Sequence, residues 1–211
     1  MPVTRKSLLN CFFIAAAIAY SSWVLTLLLP STTLSPIVHY VSEYAASNQP
    51  WHLLYRAGDG LSALFIAAGL WTVRSNKTAL WWALTAFALF TLGDALFPFA
   101  CAIHQEPCAS QAAAWQLPLT HYLHSLTSVL LSTALIAAMG IDAIKNRNPL
   151  RMGVSALAIG AMFISVLGEL DLHTVGGLLQ RVQLSGISIW LVLVAPLLAA
   201  DHRSAADPRR S

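Results

Sequence analysis

Charge is what this sequence has least of. Its 211 residues include twelve Lys or Arg and nine Asp or Glu, 10% together, where a soluble domain carries about 25%. So few charges cannot keep a globule wetted, which excludes an ordinary soluble enzyme, a disordered chain and a coiled coil. Cysteine is scarce as well, with three residues, which excludes a disulfide-rich miniprotein. The net charge of +3 comes from scattered residues, with no basic stripe interleaved with aromatics, so no nucleic acid is expected as a partner. Period-two alternation is missing too, which argues against an outer-membrane barrel.

What the chain has is apolar residue after apolar residue: 57% of the composition, with a mean hydropathy of +0.65. Six apolar stretches reach membrane-spanning length, about 20 residues for a hydrocarbon core of roughly 30 Å. They are Leu8–Leu29, Leu54–Val73, Ala79–Phe97, Leu119–Ile141, Leu150–Leu170 and Gly177–Ala199. Pro30, Pro50, Pro98, Pro118 and Pro149 fall at or just outside their ends, where a missing N–H costs little, and only Pro196 lies within a span. The expectation is an all-α integral membrane protein with six transmembrane helices, one membrane domain over residues 1–211, in contact with membrane lipids.

Orientation is read from the cations. Arg5, Lys6, Arg74, Lys77, Lys145, Arg147, Arg151, Arg203, Arg209 and Arg210 gather at alternate ends of the spans, leaving only Arg56 and Arg181 on the other side. Both termini are therefore expected in the cytoplasm, with three outward loops, in a bacterial inner membrane. Met1–Lys6 followed by an apolar run and Ala17-Ile18-Ala19 has the look of a cleavable export signal, but the run continues to Leu29, so an uncleaved anchor is expected. Cys11 reads as a small buried residue of the first span. Cys101 and Cys108 share one outward loop, where an oxidising compartment favours a disulfide over a zinc pair.

Ionisable groups at membrane depth are rare and usually paired or functional. Here they collect at the outward ends of the spans: His52, Arg56 and Asp59 on one helical stripe, then Thr91 and Asp94, then His121, His124, Ser125 and Ser128. Glu169, Asp171 and His173 follow the fifth span, and Gln180, Arg181 and Gln183 open the sixth. Asp94 and His124 stand out, because each lies below the interface with no counter-charge on its own helix. Arg56 with Asp59, and Arg181 with Glu169 or Asp171, also read as interfacial ion pairs. His39, Glu43, His104 and Glu106 read as solvated loop residues, and the inner halves of the spans as almost free of ionisable groups.

The stretch Asp94-Ala-Leu-Phe-Pro-Phe-Ala-Cys-Ala-Ile-His-Gln-Glu-Pro-Cys108, followed by His121-Tyr-Leu-His-Ser125, resembles the central signature of a bacterial membrane family of six to seven spans. That family is known only as domain of unknown function 998 (DUF998). Ser35-Pro36, Val41-Ser42-Glu43-Tyr44 and Gln180-Arg181 resemble it at the first outward loop and the last span. Many members carry an acidic residue after the Phe-Pro pair, where this chain has Phe99. The resemblance implies the multi-span topology and singles out the same residues; it implies no activity.

Three function classes fit these residues. One is an intramembrane hydrolase or lipid-modifying enzyme at the outer leaflet. In it Asp94, His121, His124, Ser125 and Glu169 would be catalytic, and Arg56, Asp59, Gln180 and Arg181 would hold substrate. His121, His124 and Asp94 could bind a divalent metal such as zinc, or Ser125 could be a nucleophile beside a histidine. The second class is a transporter, sensor or assembly factor, and the third a single-haem or quinone site.

Overall fold

The first helix starts where Thr4 accepts a hydrogen bond from the Ser7 N–H at 3.2 Å, a threonine cap on an uncharged run. It buries Leu9, Phe13, Ala16, Ala17 and Tyr20, one face at helical spacing. Cys11 lies off that face and is exposed, so it points away from the core and not into it as its apolar surroundings suggested. In this computed structural model the chain is described over residues 4–29, 33–75, 77–171 and 175–206. Pro30, His173, Arg209, Arg210 and the start of the Met1–Lys6 segment lie outside the described residues, as do the side chains of Glu169, Asp171 and Arg203.

The helices in chain order are α1 (Arg5–Tyr20), continued by a 3-10 stretch over Ser21–Leu27, α2 (Val41–Tyr44), α3 (His52–Thr72), α4 (Ala79–Leu96), α5 (Cys108–Ala113), α6 (Leu119–Asn146), α7 (Pro149–Asp171) and α8 (Gly176–Ala206). Among the described residues there is no strand. Six helical segments are long and apolar enough to cross a membrane, and they coincide with the six apolar runs to within a few residues. Their outward surface is apolar: Ile18 is 70% exposed, Leu89 61% and Val129 63%. No soluble fold leaves such a surface to water.

Packing does not follow chain order throughout. α6 packs on α4, α4 on α3, α3 on α1, α1 on α8, and α8 on α7, whereas the consecutive pair α6 and α7 touch little. Leu9, Phe13, Leu84, Phe87, Leu135, Met139, Ile187, Trp190 and Leu191 form the fully buried core. The turn between α6 and α7 follows from its residues. Arg147 closes α6 in the left-handed region (φ 42°), Asn148 accepts from the Arg151 N–H at 3.1 Å, and Pro149 starts α7 where its missing N–H is harmless.

Beside that turn is a network the sequence reading missed. Asp142 is 2% exposed. Its carboxylate accepts from the Trp190 indole N–H (3.0 Å) and the Asn146 amide (3.1 Å), and lies 3.1 Å from Arg151 Nε as an ion pair. Together these bonds tie α6, α7 and α8 at the basic end of the bundle. Arg74 over Trp71 (4.3 Å) and Lys77 over Trp82 (5.4 Å) mark the same end with cations on aromatic faces, a pattern suited to a membrane interface. At the opposite end the two long connections, before α3 and before α6, form a cap.

Candidate functional site

Below the cap lies a cavity of about 350 Å³, at the low end of the usual range for ligand pockets. α3 supplies Arg56 and Asp59, α4 Thr91 and Asp94, α6 His124, Ser125, Ser128 and Ser132, α7 Met162 and Ser165, and α8 Gln180 and Gln183. Tyr40, Val41 and Ser42 of the first connection and Pro98, Phe99 and Ile103 of the second line it from the cap side. The lining residues that are themselves exposed are Ser125 on α6 and Val166 on α7. These two exposed residues put an opening on the side of α6 and α7, the consecutive helices that touch little.

Asp94 reaches the cavity because α4 and α6 approach closely at Gly93. A Cβ there would stand 2.8 Å from Thr127 Cγ2, closer than carbon atoms tolerate. The Asp94 carboxylate accepts from the Thr127 hydroxyl and, at 2.8 Å, from the Ser128 hydroxyl. His124 Nδ1 is 4.0 Å from the same carboxylate, so the expected pair are neighbours. The tighter contact of that histidine, however, is 2.9 Å to the Phe97 carbonyl. A carbonyl only accepts, so Nδ1 carries the proton.

His121 has the complementary arrangement. Its Nδ1 accepts from the Ala100 N–H at 3.2 Å, which places its proton on Nε2. Phe99 lies between the two rings, 4.6 Å from His121 and 4.1 Å from His124. Both histidines thus grip the backbone of residues 97–100 and hold Phe99 over the cavity. Ser125 lines the mouth, and among the described residues no histidine bonds to its hydroxyl. Asp94, His121 and His124 do not form a three-ligand group either. Among the described residues the three-ligand group within reach of one ion is Cys101, Cys108 and His121, and its two sulfurs are already joined to each other. Among the described residues, Asp94, His121 and His124 therefore do not make a zinc site by themselves. Glu169 lies outside the described side chains.

The other candidates separate cleanly. Arg56 Nε donates to the Ala95 carbonyl at 2.9 Å; among the described residues its remaining donors have no protein partner. Asp59, one turn on, has no hydrogen-bond donor among the described residues, and no described ion pair joins it to Arg56. Gln180 accepts from the Val41 N–H and fixes α2 above the cavity.

Arg181 is 5% exposed. Its Nη1 donates to the carbonyls of Pro36 (2.6 Å), His39 (3.1 Å) and Gly177 (3.0 Å), and its Nη2 to the Thr26 hydroxyl (2.9 Å). Those donors are spent on backbone and one hydroxyl, and Arg181 does not line the cavity. Gly177 is needed here: a Cβ would fall 2.3 Å from the His39 carbonyl oxygen.

Glu43 and His104 correct the sequence reading, which took them for solvated loop residues. Glu43 is fully buried. One of its oxygens accepts from the His104 N–H (3.0 Å), and the other meets His104 Nδ1 and the Tyr40 N–H, each at 2.9 Å. It joins the two connections into one cap. The signal was present in Tyr40-Val-Ser-Glu43, since a glutamate three residues after a helix start returns to the cap N–H. The Cys101–Cys108 disulfide, with Cα atoms 5.9 Å apart, closes the second connection, and Ser47 N–H donates to the Phe99 carbonyl at 2.8 Å. Outside the membrane spans, burial raises the Tyr44 phenol above its ordinary range, with the Arg181 guanidinium acting against it.

No curated protein and no solved structure matches the chain significantly. A family model described as "Protein of unknown function (DUF998)" matches residues 13–196, nearly the whole membrane bundle, and the chain belongs to that family.

Proposed function

We propose that this multipass membrane protein binds the polar head of a membrane amphiphile in the cavity under the cap. The observation that carries this reading is the sideways mouth between α6 and α7. A pocket with polar walls that opens towards the lipid, in a bundle whose outer surface is apolar, suits a molecule that already resides in the bilayer. A path through the bundle is not favoured, because the fully buried apolar residues Leu84, Phe87, Leu135 and Leu191 fill the middle stretches of α4, α6 and α8. Wild-type protein carried through detergent exchange should retain about one lipid by native mass spectrometry. Ser125→Trp, at the mouth, should lose it, while Ile18→Trp on the outer face of α1 should not. Equal retention by both variants would place the lipid elsewhere and end this reading.

Lipid modification is a second reading, supported by Asp94, a carboxylate on the cavity wall that accepts from the Ser128 hydroxyl at 2.8 Å and could take a proton from a bound headgroup. Its test is release of a headgroup or acyl chain from bound lipid, abolished in Asp94→Asn. Retained lipid without turnover would leave binding alone. The basic end is proposed to face the cytoplasm, which puts the cap and cavity at the outer leaflet of the bacterial inner membrane. A periplasm-dependent reporter fused after Lys145 should stay silent; activity there would invert the topology.

A further inference from the structure

From the two unpaired charges on α3 we infer that the amphiphile is an aminophospholipid, its ammonium taken by Asp59 and its phosphate by Arg56. The inference rests on the cavity being a lipid site and adds the chemistry of the head. Arg56 and Asp59 are one helical turn apart, close enough for neighbouring side chains, and both line the cavity. Yet no described ion pair joins them, and among the described residues only the Ala95 carbonyl engages Arg56. Two opposite charges left apart in a membrane-embedded cavity are costly. A ligand carrying both signs answers both, which an anionic lipid does not.

The rest of the wall agrees with a primary ammonium, which has three N–H donors to place. Asp94 adds a second carboxylate, whose two oxygens retain acceptor capacity beyond the Thr127 and Ser128 hydroxyls. Against these two acids the cavity sets one guanidinium and the His124 imidazole, which lies by Asp94, so a head bearing only negative charge would leave Asp59 unanswered. The two-carbon bridge of a phosphoethanolamine matches charges placed one turn apart, and its acyl chains would leave between α6 and α7.

The test uses the full-length protein in a nonionic detergent, with short-chain phosphatidylethanolamine and phosphatidylglycerol of equal acyl length titrated against intrinsic tryptophan fluorescence. The ethanolamine lipid should bind about tenfold more tightly, the scale of one charge-assisted hydrogen bond. Asp59→Asn should remove that preference by weakening the ethanolamine lipid, with phosphatidylglycerol binding no weaker than in the wild type. Asp59→Glu, which keeps the charge, should retain most of it, so a general loss of fold is distinguishable. Arg56→Gln should weaken both lipids. Equal or tighter binding of phosphatidylglycerol by the wild type overturns the assignment while leaving the cavity a lipid site. Saturation by neither lipid overturns both proposals. If free phosphoethanolamine, without chains, competes at the same concentration as the lipid, the ligand is a soluble headgroup and the aminophospholipid is refuted.

Discussion

Asp142→Ala is expected to lower the stability of the bundle by about 3–5 kcal/mol, the range for breaking a buried ion pair from one side. The carboxylate is 2% exposed and serves the Trp190 indole, the Asn146 amide and the Arg151 guanidinium. Its removal leaves a fully buried indole N–H unpaired and the cation of Arg151 without its counter-charge. Asp142→Asn should cost less, because the amide oxygen still accepts from Trp190 while the charge is lost. Arg151→Ala should fall between the two, since its side chain is 16% exposed and water can take over part of its role. Titration of the purified protein with SDS, followed by tryptophan fluorescence and circular dichroism, gives the ranking. A loss below about 1 kcal/mol for Asp142→Ala would place it with exposed pairs and deny that the network holds α6, α7 and α8 together. Lipid retention in variants that remain folded should be unchanged, because no member of the network lines the cavity.

How legible such features were depends on whether their signal is local. The six spans could be read directly, because a helix in hydrocarbon must be apolar for its whole length, and the proline and cap residues that bound it are neighbours in sequence. Asp94 could be read as well, since an isolated acid inside an apolar run needs an explanation wherever its partner lies. Its partners, the Thr127 and Ser128 hydroxyls, could not. They come from a helix brought close by the absence of a side chain at Gly93, and no spacing rule announces that contact. Asp142 was overlooked because Lys145, Arg147 and Arg151 follow it closely in sequence and make it look like part of a solvated end. Trp190, which explains its burial, lies 48 residues away. His121 and His124 were noticed for the right reason, polar rings set into a membrane helix, but their spacing of three suggested a shared ligand. Their Nδ1 atoms instead engage the backbone of residues 97–100, one accepting and one donating. Residue type and depth marked the polar region that lines the cavity. What each side chain does there was decided by the two connections that fold back over it.

Arg181 tests that distinction most sharply. Read from sequence, it is a cation at the start of the last span that would hold a substrate phosphate. In that role Arg181→Ala would weaken ligand binding and leave stability nearly unchanged. The structure gives it the opposite expectation. Nη1 satisfies three carbonyls from the first connection and α8, Nη2 satisfies Thr26, and the guanidinium lies 5.3 Å from the centre of the Tyr44 ring. Stranding a buried acceptor costs about 1–3 kcal/mol, so the loss of several should exceed roughly 3 kcal/mol even if water reaches one of them. Arg181→Lys should recover little. An ammonium is a single point, whereas the guanidinium fork spans acceptors on three separate segments. Amide hydrogen exchange should quicken across residues 34–47 in both variants, at the first connection and α2, and leave α4 and the lower half of α6 unaffected. Any weakening of ligand binding should follow that loosening of the cap and be relieved by conditions that restore it, such as lower temperature. A variant with native exchange rates throughout residues 34–47 but impaired binding would return Arg181 to the ligand and remove it from the scaffold.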